Sequence, residues 1–296
     1  MKNRKANITF HAMIAPGMIF ILLFNIIPLA GLIMAFQNFL PAKGLLGSQW
    51  VGLDNFKFMF QLPDSRQIFV NTLVIAVSKM ILNLLVPLVF ALMLNAIRCK
   101  LLKRTLQTIV YLPNFISWVI LGSIIADIFS KSGIINTLLS GVGIEPIIFM
   151  GSNTWFRPIV ILSDVWKGFG YNSIIFLAAL AGIDPTLYEA AKIDGAGRFK
   201  RIIHVSLPGI TPTIVTLLIL KMGQIMSIGF EKAYLLQNDL NLKSSEIIST
   251  LVYKQGILQG NIGYATAVGL MNSCLNLLLI IAANKFCEKF FETSLW

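Results

Sequence analysis

Few residues in this 296-residue chain can carry bond chemistry. It has two histidines, His11 and His204, and three cysteines, Cys99, Cys274 and Cys287. Their number and spacing match no metal motif, and the odd cysteine count points to free thiols that serve as packing. No GxxxxGKS/T phosphate loop occurs, because Lys131-Ser132 and Lys243-Ser244 lack the preceding glycines. HExxH, GxSxG and CxxC are also absent. What stands out is a set of polar side chains inside apolar runs. Lys79, Asp127, Asp164, Lys167 and Lys221 are charges at such positions. Trp166, Tyr171, Asn172, Gln224, Asn272 and Asn276 add rings and amides. Their chemistry is recognition by charge, hydrogen bonds and ring faces.

A second constellation is a helix with its ends written in. Asp184 suits an N-cap and Pro185 the first helical position. Residues 189–193 propagate the helix, and Gly195 and Gly197 end it. Residues 199–205 form a second short amphipathic turn, and Leu207-Pro208 opens the next apolar run. The segment is either an ordinary interfacial connector or a rigid elbow that docks something.

The elements that must position these residues are membrane spans. Apolar residues make up 56 % of the chain and charged residues only 12 %, against about 25 % in soluble domains. Too little charge is present to wet a soluble surface, and too much apolar matter for a disordered chain. No Asp, Glu, Lys or Arg occurs in residues 6–42, 105–126 or 255–284. A helix crosses about 30 Å of hydrocarbon in roughly 20 residues, so these runs suffice. Their unbroken apolarity excludes barrel strands, which alternate. We place six spans at about 12–36, 69–97, 106–129, 158–182, 208–229 and 264–283. The run at 12–36 is longer than a signal-peptide core, lacks a small-residue cleavage site, and is read as an uncleaved span that Pro16 and Pro28 kink or bound.

Basic residues favour one set of loops, most clearly Arg98, Lys100, Lys103 and Arg104 after the second span. The positive-inside rule then puts both termini in the cytoplasm, and assigns Lys232 to an outer loop. The net charge of +11 is accounted for by the anionic inner leaflet and needs no nucleic acid. Charges inside spans should face protein or water, since each costs about 2.5–3.5 kcal/mol at a helix centre. Asp164 and Lys167, spaced i, i+3, can pair on one face, and Asn272 and Asn276, spaced i, i+4, share another. The Trp and Tyr residues also suit membrane-interface anchors, a role we assign to Trp155.

The run Glu189-Ala190-Ala191, then Asp194-Gly195, then Val205-Ser206-Leu207-Pro208 resembles the EAA loop of ABC-importer permeases, with Val205 in place of the usual Ile. Val51-Gly52-Leu53-Asp54-Asn55-Phe56, Gly133-Ile134-Ile135-Asn136, Asp164-Val165-Trp166-Lys167, Gly263-Tyr264-Ala265-Thr266-Ala267-Val268-Gly269-Leu270 and the terminal Leu295-Trp296 are similar to carbohydrate-uptake permeases of the maltose-F-like kind. Together they look most like its polysaccharide and complex-oligosaccharide branch.

The resemblance implies an all-α, six-span permease domain over residues 1–296, in the plasma or inner membrane of a prokaryote. Residues 184–205 would be the coupling loop, with Glu189, Ala190, Ala191, Asp194, Gly195, Val205, Leu207 and Pro208 set against an ATPase. The chain would be no enzyme and bind no cofactor, with ATP and magnesium on two separate ATPase subunits. A second permease, as a heterodimer, and an extracytoplasmic sugar-binding protein complete the expected assembly. Trp166, Lys167, Tyr171, Asn172, Gln224, Asn272 and Asn276 would then line the sugar path, offering hydrogen bonds to hydroxyls and flat rings to C–H faces. Two other readings remain open: an ABC permease for a smaller solute such as a disaccharide, polyol or glycerol phosphate, and a secondary transporter, for which we find no inverted repeat.

Overall fold

The computed structural model describes residues 2–61, 64–226 and 229–291; Leu295-Trp296 lies outside them. Among the described residues, the α-helices longer than four residues are α1 (Lys2–Ile21), α2 (Asp54–Gln61), α3 (Ser65–Asn95), α4 (Lys100–Tyr111), α5 (Trp118–Ile128), α6 (Ile134–Gly141), α7 (Phe156–Ala181), α8 (Pro185–Ile193), α9 (Arg198–Met222), α10 (Phe230–Leu236), α11 (Ile248–Tyr253) and α12 (Ile262–Phe291). Among the described residues, four stretches are alone long and apolar enough to cross a membrane: Phe10–Phe36, α3, α9 and Ile262–Lys289. Two bent pairs, α4 with α5 and α7 with α8, raise this to six. α7 has 26 residues, about 39 Å at 1.5 Å each, and its charges Asp164 and Lys167 are what lower its hydropathy.

The contacts divide the chain into two units, Met1–Ser65 with Leu251–Met271, and Arg66–Thr250 with Asn272–Trp296. In the first unit, the helix begun by α1 passes Pro16 without a break. It widens to a π turn at Leu22–Ile26 and tightens to 3-10 winding over Ile27–Phe36. Pro28 supplies the reason. It has no N–H to give and its ring crowds the carbonyl four residues earlier, so the ladder changes spacing there. The freed carbonyls of Ala35 and Gln37 accept bonds from the Asn55 amide at 2.9 and 3.0 Å. Gln37–Asn38 pairs antiparallel with Gln49–Trp50. Gly52, at φ +62°, turns the chain so that its N–H and that of Val51 reach the Phe36 carbonyl.

In the second unit, α3, α7 and α9 share a core of Leu84, Leu88, Ala91, Phe176, Leu180 and Ile210. α5 and α7 share another of Leu121, Ile125, Phe156, Ile159 and Val160, closed by Phe149 and by Leu236 of α10. The third span differs from expectation. Residues 106–129 are not one helix, because α4 and α5 meet at 99°. Pro113 breaks the ladder, Leu112–Phe115 tightens to a 3-10 turn, and Ser117 caps α5 by accepting the Ile120 N–H. Asp127, expected inside that span, is exposed in the last turn of α5.

The fifth span also differs. Residues 199–205 are not a separate turn but the first windings of α9, which includes a π turn at Ile202–Ser206 just before Pro208. This repeats the arrangement before Pro28. At its far end α9 stops at Met222, short of the expected 229, where residues 227 and 228 lie outside the described set.

The apolar pieces after α5 pack on the α5–α7 core through Ile135, Leu139, Ile147 and Met150. Asn136, 1 % exposed, holds this connection. Its amide donates to the Ser130 and Ile147 carbonyls, and its Oδ1 accepts the Ile147 N–H, all at 2.8 Å. Asn136→Ala is expected to cost about 1–3 kcal/mol by stranding these groups. A lowered thermal midpoint of the detergent-purified protein would show it, and an unchanged midpoint would mean the loop is held elsewhere.

Candidate functional site

The elbow after α7 is built from local signals. α8 turns 72° away from α7. The Asp184 carboxylate accepts the Thr186 N–H at 2.9 Å, and Pro185 occupies the first helical position. That backbone bond holds the exposed Asp184 carboxyl below its ordinary range. A lowered carboxyl stabilises above the unfolded-state value and loses its contribution as pH falls through the folded-state one, so the cap is complete at neutral pH.

At the other end Gly195 adopts φ +76°. The Gly195 N–H bonds the Lys192 carbonyl at 3.1 Å and the Ala196 N–H bonds the Ala191 carbonyl at 2.8 Å. This is a Schellman motif, which needs a left-handed residue at Gly195. The Tyr188 hydroxyl and Ser206 Oγ, 2.9 Å apart, tie α8 to the start of α9. Glu189, Ala190 and Asp194 are exposed, Ala191 and Val205 half-buried. Leu207 packs on the α3–α7–α9 core, and Pro208 opens the α-helical part of α9. Ile193 is 86 % exposed and Phe199 74 %. Among the described residues, none pairs with the Glu189 carboxylate. The elbow is thus held at both ends, and its exposed face carries Glu189 and Asp194 beside Lys192, Arg198 and the apolar Ile193 and Phe199.

Within the spans, the expected Asp164–Lys167 pair does not form. Asp164 Oδ1 takes the ammonium of Lys232, with Lys79 Nζ at 3.4 Å, and Oδ2 accepts from Asn83 Nδ2 at 2.9 Å. Lys232, assigned to an outer connection between the fifth and sixth spans, sits on α10, which packs against α5 and leaves it 1 % exposed. Its ammonium also lies 5.3 Å from the Trp118 ring centre. Lys167 has another task. Its Nζ donates to the Asn114 carbonyl at 2.7 Å and lies 5.5 Å from the centre of the same Trp118 ring. Asn114 is in the α4–α5 break, where the ladder leaves carbonyls without helical partners. The reason is therefore geometric: a nearer unpaired acceptor takes Lys167, and a buried ammonium takes Asp164.

The seven proposed path residues are dispersed within the chain. Trp166, half exposed, borders an apolar groove with Leu121, Ile124 and Leu162. Tyr171 is exposed and Asn172 half-buried beside Gly168. Asn276 Oδ1 accepts the Met226 N–H at 3.2 Å, closing the backbone beyond α9. Asn272 keeps a buried Oδ1 with no partner in the described chain. Gln224 lines a polar pocket with Lys79, Asn83 and Lys221. Asn83 and Lys232 went unnoticed as site residues. Asn83 is an amide in a long apolar helix, a signal of the same kind as Asn272. Lys232 had none, since its partner is 68 residues away.

Residues 83–289 match the family described as binding-protein-dependent transport system inner membrane component. The chain belongs to this family. It is 42 % identical over 287 residues to the polygalacturonan/rhamnogalacturonan transport system permease protein YteP of Bacillus subtilis (strain 168), covering 97 % of this chain and 89 % of that one. It is 41 % identical over 287 residues to LplB of the same organism, covering 97 % and 90 %. A chain in the crystal structure of a bacterial ABC transporter involved in import of the acidic polysaccharide alginate superposes with TM-score 0.90 at 36 % identity over 98 % of each chain. A second structure of a bacterial alginate ABC transporter, in complex with an alginate pentasaccharide-bound periplasmic protein, gives 0.91 at 35 % over 99 % of each.

This permease is thus a nearly all-helical, multi-pass membrane component of an ABC importer, and its relatives are transport subunits. Its internal charges obey the rule for a membrane interior, where a buried pair is costly to halve. Asp164→Asn is expected to destabilise it by about 3–5 kcal/mol, because Lys232 is left buried and uncompensated. Adding Lys232→Met should recover part of that loss. Thermal unfolding of the two variants in detergent checks this, and a single variant as stable as wild type would demote the pair.

Proposed function

We propose that this permease forms half of the pathway by which an ABC importer carries an oligosaccharide into a prokaryotic cell by alternating access. The observation that supports it most is the full-length likeness, in sequence and in fold, to permeases named for polygalacturonan, rhamnogalacturonan and alginate. A second permease subunit faces it as a heterodimer, and an extracytoplasmic binding protein delivers the sugar to the outer loops. Two ATPase subunits hold ATP and magnesium and supply the work, so this chain makes and breaks no bonds. Both termini are cytoplasmic.

In this reading α8 is the coupling helix. A rigid, capped element transmits a push without absorbing it, and α8 is held at both ends. It is joined through residues 182–184 to α7 and through Tyr188 to α9. A displacement of α8 therefore reaches both helices together. Glu189, exposed and acidic, meets a basic group of the ATPase, and Ile193 adds apolar contact. Lys167, Tyr171, Asn172, Asn272 and Trp166 complete the sugar path only with the partner permease, since they do not meet within one chain.

Two experiments test this. Glu189→Lys is expected to abolish sugar uptake while the chain still inserts, since losing one partner of a partly buried charge pair costs about 2–5 kcal/mol. Uptake at the wild-type level by a well-expressed variant would remove Glu189 from coupling. For topology, a cysteine-free background is needed because Cys99 and Cys274 are exposed. Impermeant thiol reagents should then label a cysteine at the fully exposed Leu46 from outside and miss one at Gly197. The reverse pattern in sealed right-side-out vesicles would invert the topology.

A further inference from the structure

We infer that the pocket between α3 and α9 is an anion subsite that takes the carboxylate of a uronate in the transported sugar. This rests on the import reading above and names its substrate class. Lys79 and Asn83 of α3 face Lys221 and Gln224 at the end of α9, with Met80 and Ile225 as apolar wall. Two ammoniums and two amides line the pocket, and among the described residues no carboxylate does.

The nearby Asp164 does not balance them. Its Oδ1 is taken by Lys232, with Lys79 at 3.4 Å, and its Oδ2 by Asn83. One carboxylate thus stands against the ammoniums of Lys79, Lys221 and Lys232, and the neighbourhood is net positive. Such a charge excess inside a span favours an incoming anion.

Depth decides what kind of anion. Lys79 is about 21 Å along the 31-residue α3 from its start at Ser65, near mid-membrane. A lipid phosphate stays at the edge of the hydrocarbon, so an anion that meets Lys79 arrives along the transport path. The exposed Gln224 side chain stands at the pocket's edge. A uronate suits the whole lining. Its carboxylate accepts charge-assisted bonds from Lys79 and Lys221, while Gln224 and the remaining Oδ1 of Asn83 reach ring hydroxyls.

The test uses the assembled importer in vesicles with its binding protein. Uptake of a galacturonate trisaccharide is compared with that of its methyl ester, which differs only in charge. The ratio of the two does not depend on how much importer assembles. Wild type is expected to favour the acid. Lys221→Gln is expected to lower the acid-to-ester ratio about tenfold, the scale of one lost charge-assisted hydrogen bond, and Lys221→Arg to restore it. A ratio unmoved by Lys221→Gln overturns the subsite, as does an Arg variant no better than Gln. Transport of a sulfated neutral trisaccharide in preference to the uronate overturns the carboxylate assignment. A wild type that imports no sugar overturns the import reading and the subsite together, whereas sugar uptake blind to Lys221 overturns the subsite alone.

Discussion

Hydrocarbon offers no water, so every charge and every backbone polar group inside the membrane must be met by the protein itself. Asp164 is where that constraint gathers the second unit. It sits on α7 and is reached from α3 by Lys79 and Asn83 and from α10 by Lys232. The pairing draws α10 back along the bundle and buries a lysine that would otherwise belong to a loop. The Trp118 ring, facing both Lys232 and Lys167, joins the same network to α5. A carboxylate so surrounded holds helices in register as well as paying for its own burial.

The same constraint explains how the chain tolerates its breaks. Pro28, Pro113 and Pro208 each remove a backbone donor, and each is accompanied by a π or 3-10 turn. The carbonyls and amides freed around breaks and helix ends are then closed by side chains from elsewhere: Asn55 on Ala35 and Gln37, Lys167 on Asn114, Asn276 on Met226. Several polar residues in apolar runs are therefore plugs for the backbone. At Asn276 and Lys167 that use competes with solute recognition.

In the proposed reading, coupling and recognition would meet on the same two helices. α7 carries Asp164 and leads into α8, and α9 carries Lys221 and begins beside Tyr188 of α8. A motion imposed on α8 must shift α7 and α9 and with them the walls around Lys79 and Lys221. A weak, charge-based subsite placed there would change its geometry as the importer changes state, which is what release of a bound sugar requires.

The elements whose signals are local were legible in the chain itself. The apolar runs marked the spans, because roughly 20 uncharged residues have few other uses. Asp184-Pro185 and Gly195 marked both ends of α8, because capping and left-handed turns depend on neighbouring residues only. The EAA-like run and its spacing pointed to the family that the full-length likeness shows. The break at Pro113 was also written locally, but the apolar run around it outweighed a single proline. Tertiary structure alone decided which charges pair. Asp164 has a lysine three residues on, yet takes Lys232 sixty-eight residues away, because folding brings that ammonium out of water beside it while Lys167 finds a nearer carbonyl. In a low-dielectric interior the strongest available partner in space wins, and sequence spacing carries no information about what α10 will bring there.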